Sequence, residues 1–200
     1  ELFLLSGFDL GQNFTCFLPC TRSDGFQGLA LRGSPEWQRF LQCFLPHRCE
    51  ADAPHIINVD HDKWKKSVPK YDIDIRQAIK KTFKNVLKTS NPCYELSILL
   101  TSGKEIKKLN NKYRKINKMT NVLAFPMDNE PLKNREILGD IAISLEAIII
   151  ESKKYKISRR KYLSKMVIHG LLHLLGYDHI KDNDFQIMSK IEKEVFRKIV

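Results

Sequence analysis

The chain of 200 residues predicts an α+β fold, a small mixed β-sheet packed with about five helices. Two observations carry that expectation. From residue 55 onward, short apolar runs of strand length alternate with longer stretches of helical periodicity, in the order β-α-β-α-β-β-α-α-α. Before residue 50 no regular periodicity is visible, and Gly, Pro and Ser punctuate the chain throughout.

The elements follow in order. His55 to Val59 reads as a short strand. Asp72 or Asp74 is expected to cap a helix running to about Thr89, with Ile75, Ile79, Phe83 and Val86/Leu87 on one face. Tyr94 to Leu100 reads as a strand. Ser102-x-x-Glu105 has the form of a capping box, opening a helix through Tyr113. Val122 to Phe125 and Ile137 to Ser144 read as strands, with Pro126 and a polar loop between them. Leu145 to about Tyr155 is a helix, and Ser158 opens another that runs into Leu175. Asp182 is expected to cap the last helix, which carries Phe185, Met188, Ile191, Val195 and Ile199 at helical spacing.

Composition divides the chain near Glu50 to Pro54. Residues 1–50 hold four of the five cysteines, seven of the 11 phenylalanines and no lysine, with four arginines against five acids. Residues 51–200 carry 30 basic side chains, 24 of them lysine, against 18 acidic ones. The first 50 residues therefore read as an appended segment, poorly ordered or foreign to the domain, and residues 51–200 as the domain itself. Cys16-x3-Cys20 with Cys43-x3-His47-x-Cys49 fits no common zinc knuckle, and a disulfide framework does not suit a cytosolic protein.

The formal charge of +11 points to a polyanionic partner, nucleic acid first, the plain alternative being a lysine-rich surface that keeps the chain soluble. Lys104, Lys107, Lys108, Lys112, Arg114, Lys115 and Lys118 gather in one helix and its following loop, a pattern that suits an RNA backbone held without reading of its sequence. No apolar run reaches the roughly 18 to 20 residues of a membrane span. No signal-peptide core or clear transit peptide is visible, although the sequence opens on Glu1 rather than Met. The expectation is a cytoplasmic protein with no membrane partner, an organelle remaining open.

The chemistry concentrates in His169-Gly-Leu-Leu-His173-Leu-Leu-Gly176-Tyr177-Asp178-His179, which holds three of the six histidines in 11 residues. Positions i and i+4 share one face of a helix, so His169 and His173 can aim two imidazoles at one ion. Gly176 can adopt the left-handed conformation that ends a helix, and the returning chain brings His179 as a third nitrogen. Three protein ligands leave one position for water, as in catalytic zinc sites, and the metal brings that water's pKa to about 7. The expectation is thus a metal site at the end of a central helix, holding one Zn2+ on His169, His173 and His179; nickel or copper would also accept these ligands. The alternative is a half-buried helix whose histidines only form hydrogen bonds. Gly170 stands where the metalloprotease pattern H-E-x-x-H-x-x-G-x-x-H has its basic glutamate, which argues against peptide hydrolysis. Asp178 can orient a histidine or accept a proton, or can be an ordinary turn residue, and Asp140 is open in the same way.

The segment His169 to His179 resembles the H-G-x-L-H-L-x-G-Y-D-H motif of the YbeY family. Leu109-Asn110-x-x-Tyr113-Arg114 and Thr120-Asn121-Val122-Leu123-Ala124-Phe125-Pro126 are similar to its L-N-x-x-Y-R and T-D-V-L-S-F-P. Leu138-Gly139-Asp140-Ile141-Ala142-Ile143-Ser144 resembles its L-G-D-I-x-I-S strand. Asn117 and Asn121 stand where the family has Asp, and Ala124 where it has Ser. The resemblance spans about residues 55 to 200. It implies a metal-dependent endoribonuclease, specific for single strands, acting in 16S ribosomal RNA 3′-end maturation and ribosome quality control. It implies zinc as metal, and single-stranded RNA, ribosomal RNA and small-subunit proteins as partners. It also implies a catalytic role for Arg114, which can bind a phosphate and stabilise developing charge. Two other readings remain beside it: a zinc hydrolase of peptides or small esters, and a non-catalytic ribosome-assembly protein with structural zinc.

Overall fold

The computed structural model describes residues 55–88, 94–127 and 137–199. The expectations for residues 1–50, and for most of the polar loop before residue 137, lie outside the described residues. The strands are β1 (His55–Val59), β2 (Glu95–Thr101), β3 (Val122–Pro126) and β4 (Ile137–Ser144). The helices are α1 (Lys63–Ser67), α2 (Tyr71–Val86), α3 (Gly103–Arg114), α4 (Leu145–Lys154), α5 (Arg159–Leu174) and α6 (Asp182–Arg197). The fold is α+β as expected, and all four strands lie within a residue or so of their sequence-based limits.

The sheet order is β1-β2-β4-β3. β1 runs parallel to β2 and β2 to β4, while β3 pairs antiparallel with β4 and forms an edge. The register of β2 on β4 slips between Glu95 and Leu96, where Gly139 takes φ +135°. A Cβ on Gly139 would lie 2.1 Å from the Phe125 carbonyl oxygen, so only glycine fits this bulge.

Alternation along the strands separates two cores. Ile98, Leu100, Val122, Ala124, Ile141 and Ile143 face the larger one, which takes in Ile75, Ile79 and Phe83 of α2, most of α5, and Met188 and Val195 of α6. Leu123 and Ala142 face the other side and meet Ile106 of α3. Thus α3 and α5 cover opposite faces of the sheet. α5 is the central helix: it packs on α2, α4, α6, β3 and β4. Eleven of its 16 residues are buried, and from Met166 onward every residue but His169 and His173 is apolar or glycine.

Four local expectations need correction. α1 was not foreseen; its KWKKS sequence has no periodicity, and the buried Trp64 anchors it by donating from Nε1 to the Thr101 carbonyl at 3.1 Å. α2 begins at Tyr71 after Lys70 in the left-handed region (φ 65°), so neither Asp72 nor Asp74 is its cap. Asp74 instead takes a two-pronged hydrogen bond from Arg160, Nε to Oδ2 and Nη2 to Oδ1, each 2.7 Å, tying α2 to α5. α6 is preceded by Lys181, and Asp182 is its first residue, where a carboxylate favours the helix dipole without capping. The serine caps hold: Ser102 accepts from the Glu105 N–H and Ser158 from the Lys161 N–H, both at 3.3 Å. Glu105 does not complete the box; its carboxylate pairs with Lys108 at 2.8 Å. No helix among the described residues is long and apolar enough to cross a membrane.

Candidate metal centre

The C-terminal turn of α5 builds the site. Leu175 ends the helix, and Gly176 follows at φ +90°. The Gly176 N–H donates to the His173 carbonyl and the Tyr177 N–H to the Leu172 carbonyl, each at 3.0 Å, the paired bonds of a Schellman turn. Nothing lies within 4 Å of a Cβ built on Gly176, so φ alone demands glycine here. The turn reverses the chain and delivers His179 to the face of α5 that carries His169 and His173.

The three imidazoles converge. Their candidate ligand atoms all lie within 4.8 Å of one another, the one such histidine, cysteine or carboxylate cluster among the described residues. His169 Nε2 and His173 Nε2 are 3.2 Å apart. Two nitrogens at Zn–N distances of about 2.0–2.1 Å and a tetrahedral angle stand roughly 3.3 Å apart, so this pair already has the span of a zinc edge.

A hydrogen bond fixes which nitrogen of His173 faces inward. His173 is buried and its Nδ1 lies 3.0 Å from the Tyr177 carbonyl oxygen, an acceptor that requires N–H on Nδ1 and leaves the Nε2 lone pair free. Burial, then the neighbouring His169 and His179, push the His173 pKa down to about 3, so the ring is neutral as a ligand must be. His169 Nδ1 lies 3.7 Å from Glu192 Oε2 on α6, both side chains being largely covered. That carboxylate stands just beyond direct hydrogen-bond range of the ring. The free Nε2 lone pair of His173 faces His169 Nε2 at 3.2 Å, an approach that a cation between the two rings satisfies. The donor set therefore fits a metal.

Sequence reasoning passed over Glu192, although a carboxylate four residues after Met188 on the apolar side of α6 was a usable signal. It also missed the Tyr177 carbonyl, which leaves no side-chain signature. Asp178 Oδ1 accepts from the His179 N–H at 2.6 Å, inside the turn that presents the third histidine. Arg114 is the last residue of α3, half-buried, on the sheet face opposite α5. The lysines of α3 and its loop are exposed on that same layer. Asp140 lies within β4 rather than at a strand end, on the same side as Ala142. Of the motif residues, Asn110 is buried and donates from Nδ2 to the Lys118 carbonyl at 2.7 Å, holding the loop after α3. Asn121 donates to Glu151 Oε2 at 3.1 Å, an oxygen that also accepts from the Tyr162 hydroxyl. The amide can donate there, whereas the aspartate of the family pattern could not.

Gly170 faces the sheet. A Cβ there would meet the Ile141 side chain at 3.0 Å and Val122 Cγ2 at 3.3 Å. The missing glutamate thus corresponds to a position packed in the core, where a carboxylate would be buried without a partner. On the other side, His169 and His179 border a pocket of about 460 Å³ between α5 and α6, which gives the cluster an open approach.

The fold and the cluster define an α+β protein with a candidate three-histidine metal centre open on one side. The chain belongs to the YbeY family: the model described as endoribonuclease YbeY matches residues 58–200. A protein of Bartonella quintana (strain Toulouse) named endoribonuclease YbeY is 37% identical over 147 residues, covering 72% of this chain and 90% of its own. Its namesake in Ruthia magnifica is 37% identical over 144 residues, covering 72% and 94%. A Wolbachia namesake reaches 44% over a shorter stretch of 104 residues, 52% and 68% of the two chains. The solution structure of a Thermotoga maritima protein shares the fold, with TM-score 0.50 and 24% identity over 73% of this chain and 89% of that one.

Proposed function

We propose that this chain is a metal-dependent endoribonuclease of single-stranded RNA, acting in the 3′-end maturation of 16S ribosomal RNA and in ribosome quality control. The convergence of His169, His173 and His179 beside an open pocket carries the reading. The shared name of the relatives supports the nuclease activity, and the +11 charge suits a polyanionic substrate.

The three histidines hold one zinc ion. Zinc bound there supplies Lewis acidity, bringing the pKa of water to about 7 and polarising a phosphoryl oxygen. The chain's own groups do the rest. His173 stays neutral and fixed by the Tyr177 carbonyl; Glu192 orients His169. Asp178 secures the turn that carries His179 and is the carboxylate nearest in sequence for taking up a proton. Arg114, assigned by its place in the family motif, holds substrate phosphate on the layer across the sheet from the histidines rather than at the metal. A peptidase is the poorer reading, because Gly170 leaves no base where zinc peptidases carry one.

Metal content of the purified full chain, measured beside His173→Ala and with both proteins assayed on single-stranded RNA, tests the proposal. Near-stoichiometric zinc in the parent is expected, lost in the variant together with cleavage while circular dichroism shows the fold retained. A metal-free parent that still cuts RNA would overturn the three-histidine mechanism. Unfolding of the variant, with no cleavage by a zinc-loaded parent, would make the metal structural.

A further inference from the structure

The pocket beside the histidines has walls that metal binding does not use. α5 presents Tyr162, Lys165 and His169 to it at three- and four-residue spacing, and α6 presents Phe185, Glu192 and Lys193. Two aromatic rings stand at its edge with more than half their surface in water: Tyr155, 54% exposed, and Phe185, 55% exposed. Phe185 falls on the apolar spacing of α6, yet it does not join the core as that spacing predicts; it faces the pocket. Tyr155 is held by stacking on the buried Tyr162, with centroids 5.8 Å apart and planes at 15°. Lys154 and Lys165 each place Nζ 5.6 Å from the Tyr155 ring centroid. The one carboxylate in the lining, Glu192, is turned toward His169.

Lysines beside solvent-facing rings are the combination by which proteins hold single-stranded nucleic acid: bases stack, and cations track the phosphates. A volume of about 460 Å³ is within the range of small-ligand sites, roughly 300–1,000 Å³, and admits a nucleotide unit. We propose that this groove between α5 and α6 is a nucleobase subsite for the RNA strand. Phe185 and Tyr155 stack against one base, and Lys165 and Lys193 hold the adjoining phosphate, which sets the strand's path to the histidine cluster. Stacking is tolerant of base identity, so the subsite selects unpaired nucleotides rather than a sequence. This rests on the RNA-cleaving function proposed above and adds how that site recognises a single strand.

The test is anisotropy of a labelled short single-stranded RNA with the full-length protein in chelator, so that binding is read apart from cleavage. A second set of strands carries one abasic position moved along the chain. Phe185→Ala and Tyr155→Ala should each weaken binding roughly 5- to 100-fold, since one stacked base accounts for about that range. Phe185→Trp should restore binding and Phe185→Leu should not. In the parent one abasic position should cost affinity, and in Phe185→Ala that cost should vanish. Both side chains are more than half exposed, so the variants keep the core intact. A parent that binds and cuts RNA, with both alanine variants binding within twofold of it, overturns the subsite and leaves the nuclease reading standing. A parent with no affinity or activity on RNA overturns both.

Discussion

Gly176→Ala isolates one physical cause at the metal centre. A Cβ at this position would touch nothing within 4 Å, so the substitution brings no clash and removes no contact. What changes is the cost of holding φ at +90°, a conformation that L side chains disfavour. That cost is about 1–2 kcal/mol. For a domain of roughly 150–250 residues, 1 kcal/mol moves Tm by about 2–4 °C, so the expected fall is about 2–8 °C. The chain can relieve the strain only by relaxing the Schellman turn, whose bonds to the Leu172 and His173 carbonyls place the Tyr177 carbonyl on His173 and bring His179 round. Zinc affinity should therefore fall together with stability, and the gain in Tm on adding zinc should be smaller in the variant than in the parent. Gly176→Asn should lie between the two, because Asn tolerates positive φ better than Ala. Calorimetry with and without zinc reads all of this. An alanine variant as stable as the parent would refute the claim that backbone conformation fixes glycine here.

Two further outcomes follow from the same site. Glu192→Gln keeps the shape beside His169 but removes the charge that orients it, and zinc affinity, read by competition with a chromophoric chelator, should drop by about 10- to 100-fold; unchanged affinity would make the 3.7 Å approach incidental. The depressed pKa of His173 makes stability pH-dependent in the metal-free protein. The unfolded ring takes up a proton near the ordinary histidine value of 6.5 and the folded ring near 3, so this contribution is complete above about 6.5 and is lost as pH falls toward 3. Urea midpoints across that window should decline in the parent, and less steeply in His173→Gln; equal slopes would remove His173 as the cause.

Much of this architecture is local and was therefore readable in sequence. The strands carry enough β-branched residues, and α5 and α6 enough periodic apolar ones, for their limits to emerge within a residue or two. The spacing of His169 and His173, with glycine after them, announced the ligand pair because helix geometry converts i, i+4 into proximity. What escaped was long-range. Asp74 resembles a cap until Arg160, 86 residues away, claims it. Trp64 has meaning only once Thr101 is beside it. Glu192 is one more charged residue until α6 folds back over His169. Phe185 obeys the core spacing of its helix but lies where α6 meets the pocket rather than in the core it shares with α2 and α5. The lysine-rich α3 lies across the sheet from the histidine-bearing α5, a placement that no local spacing reveals.

The hydrogen bond from His173 to the Tyr177 carbonyl has a consequence for how such a site can change over generations. A peptide group, unlike a side chain, survives every point substitution. The orientation of the most buried ligand is thus insured against mutation at residue 177, and drift at that position can alter the ring it carries without turning the imidazole. The exposed turn and the pocket rim have no such insurance. Diversification of this centre should therefore run outward from its fixed helical half: substrate choice is free to wander around His179 and the groove, while the geometry at His173 stays heritable so long as the helix ends where it does.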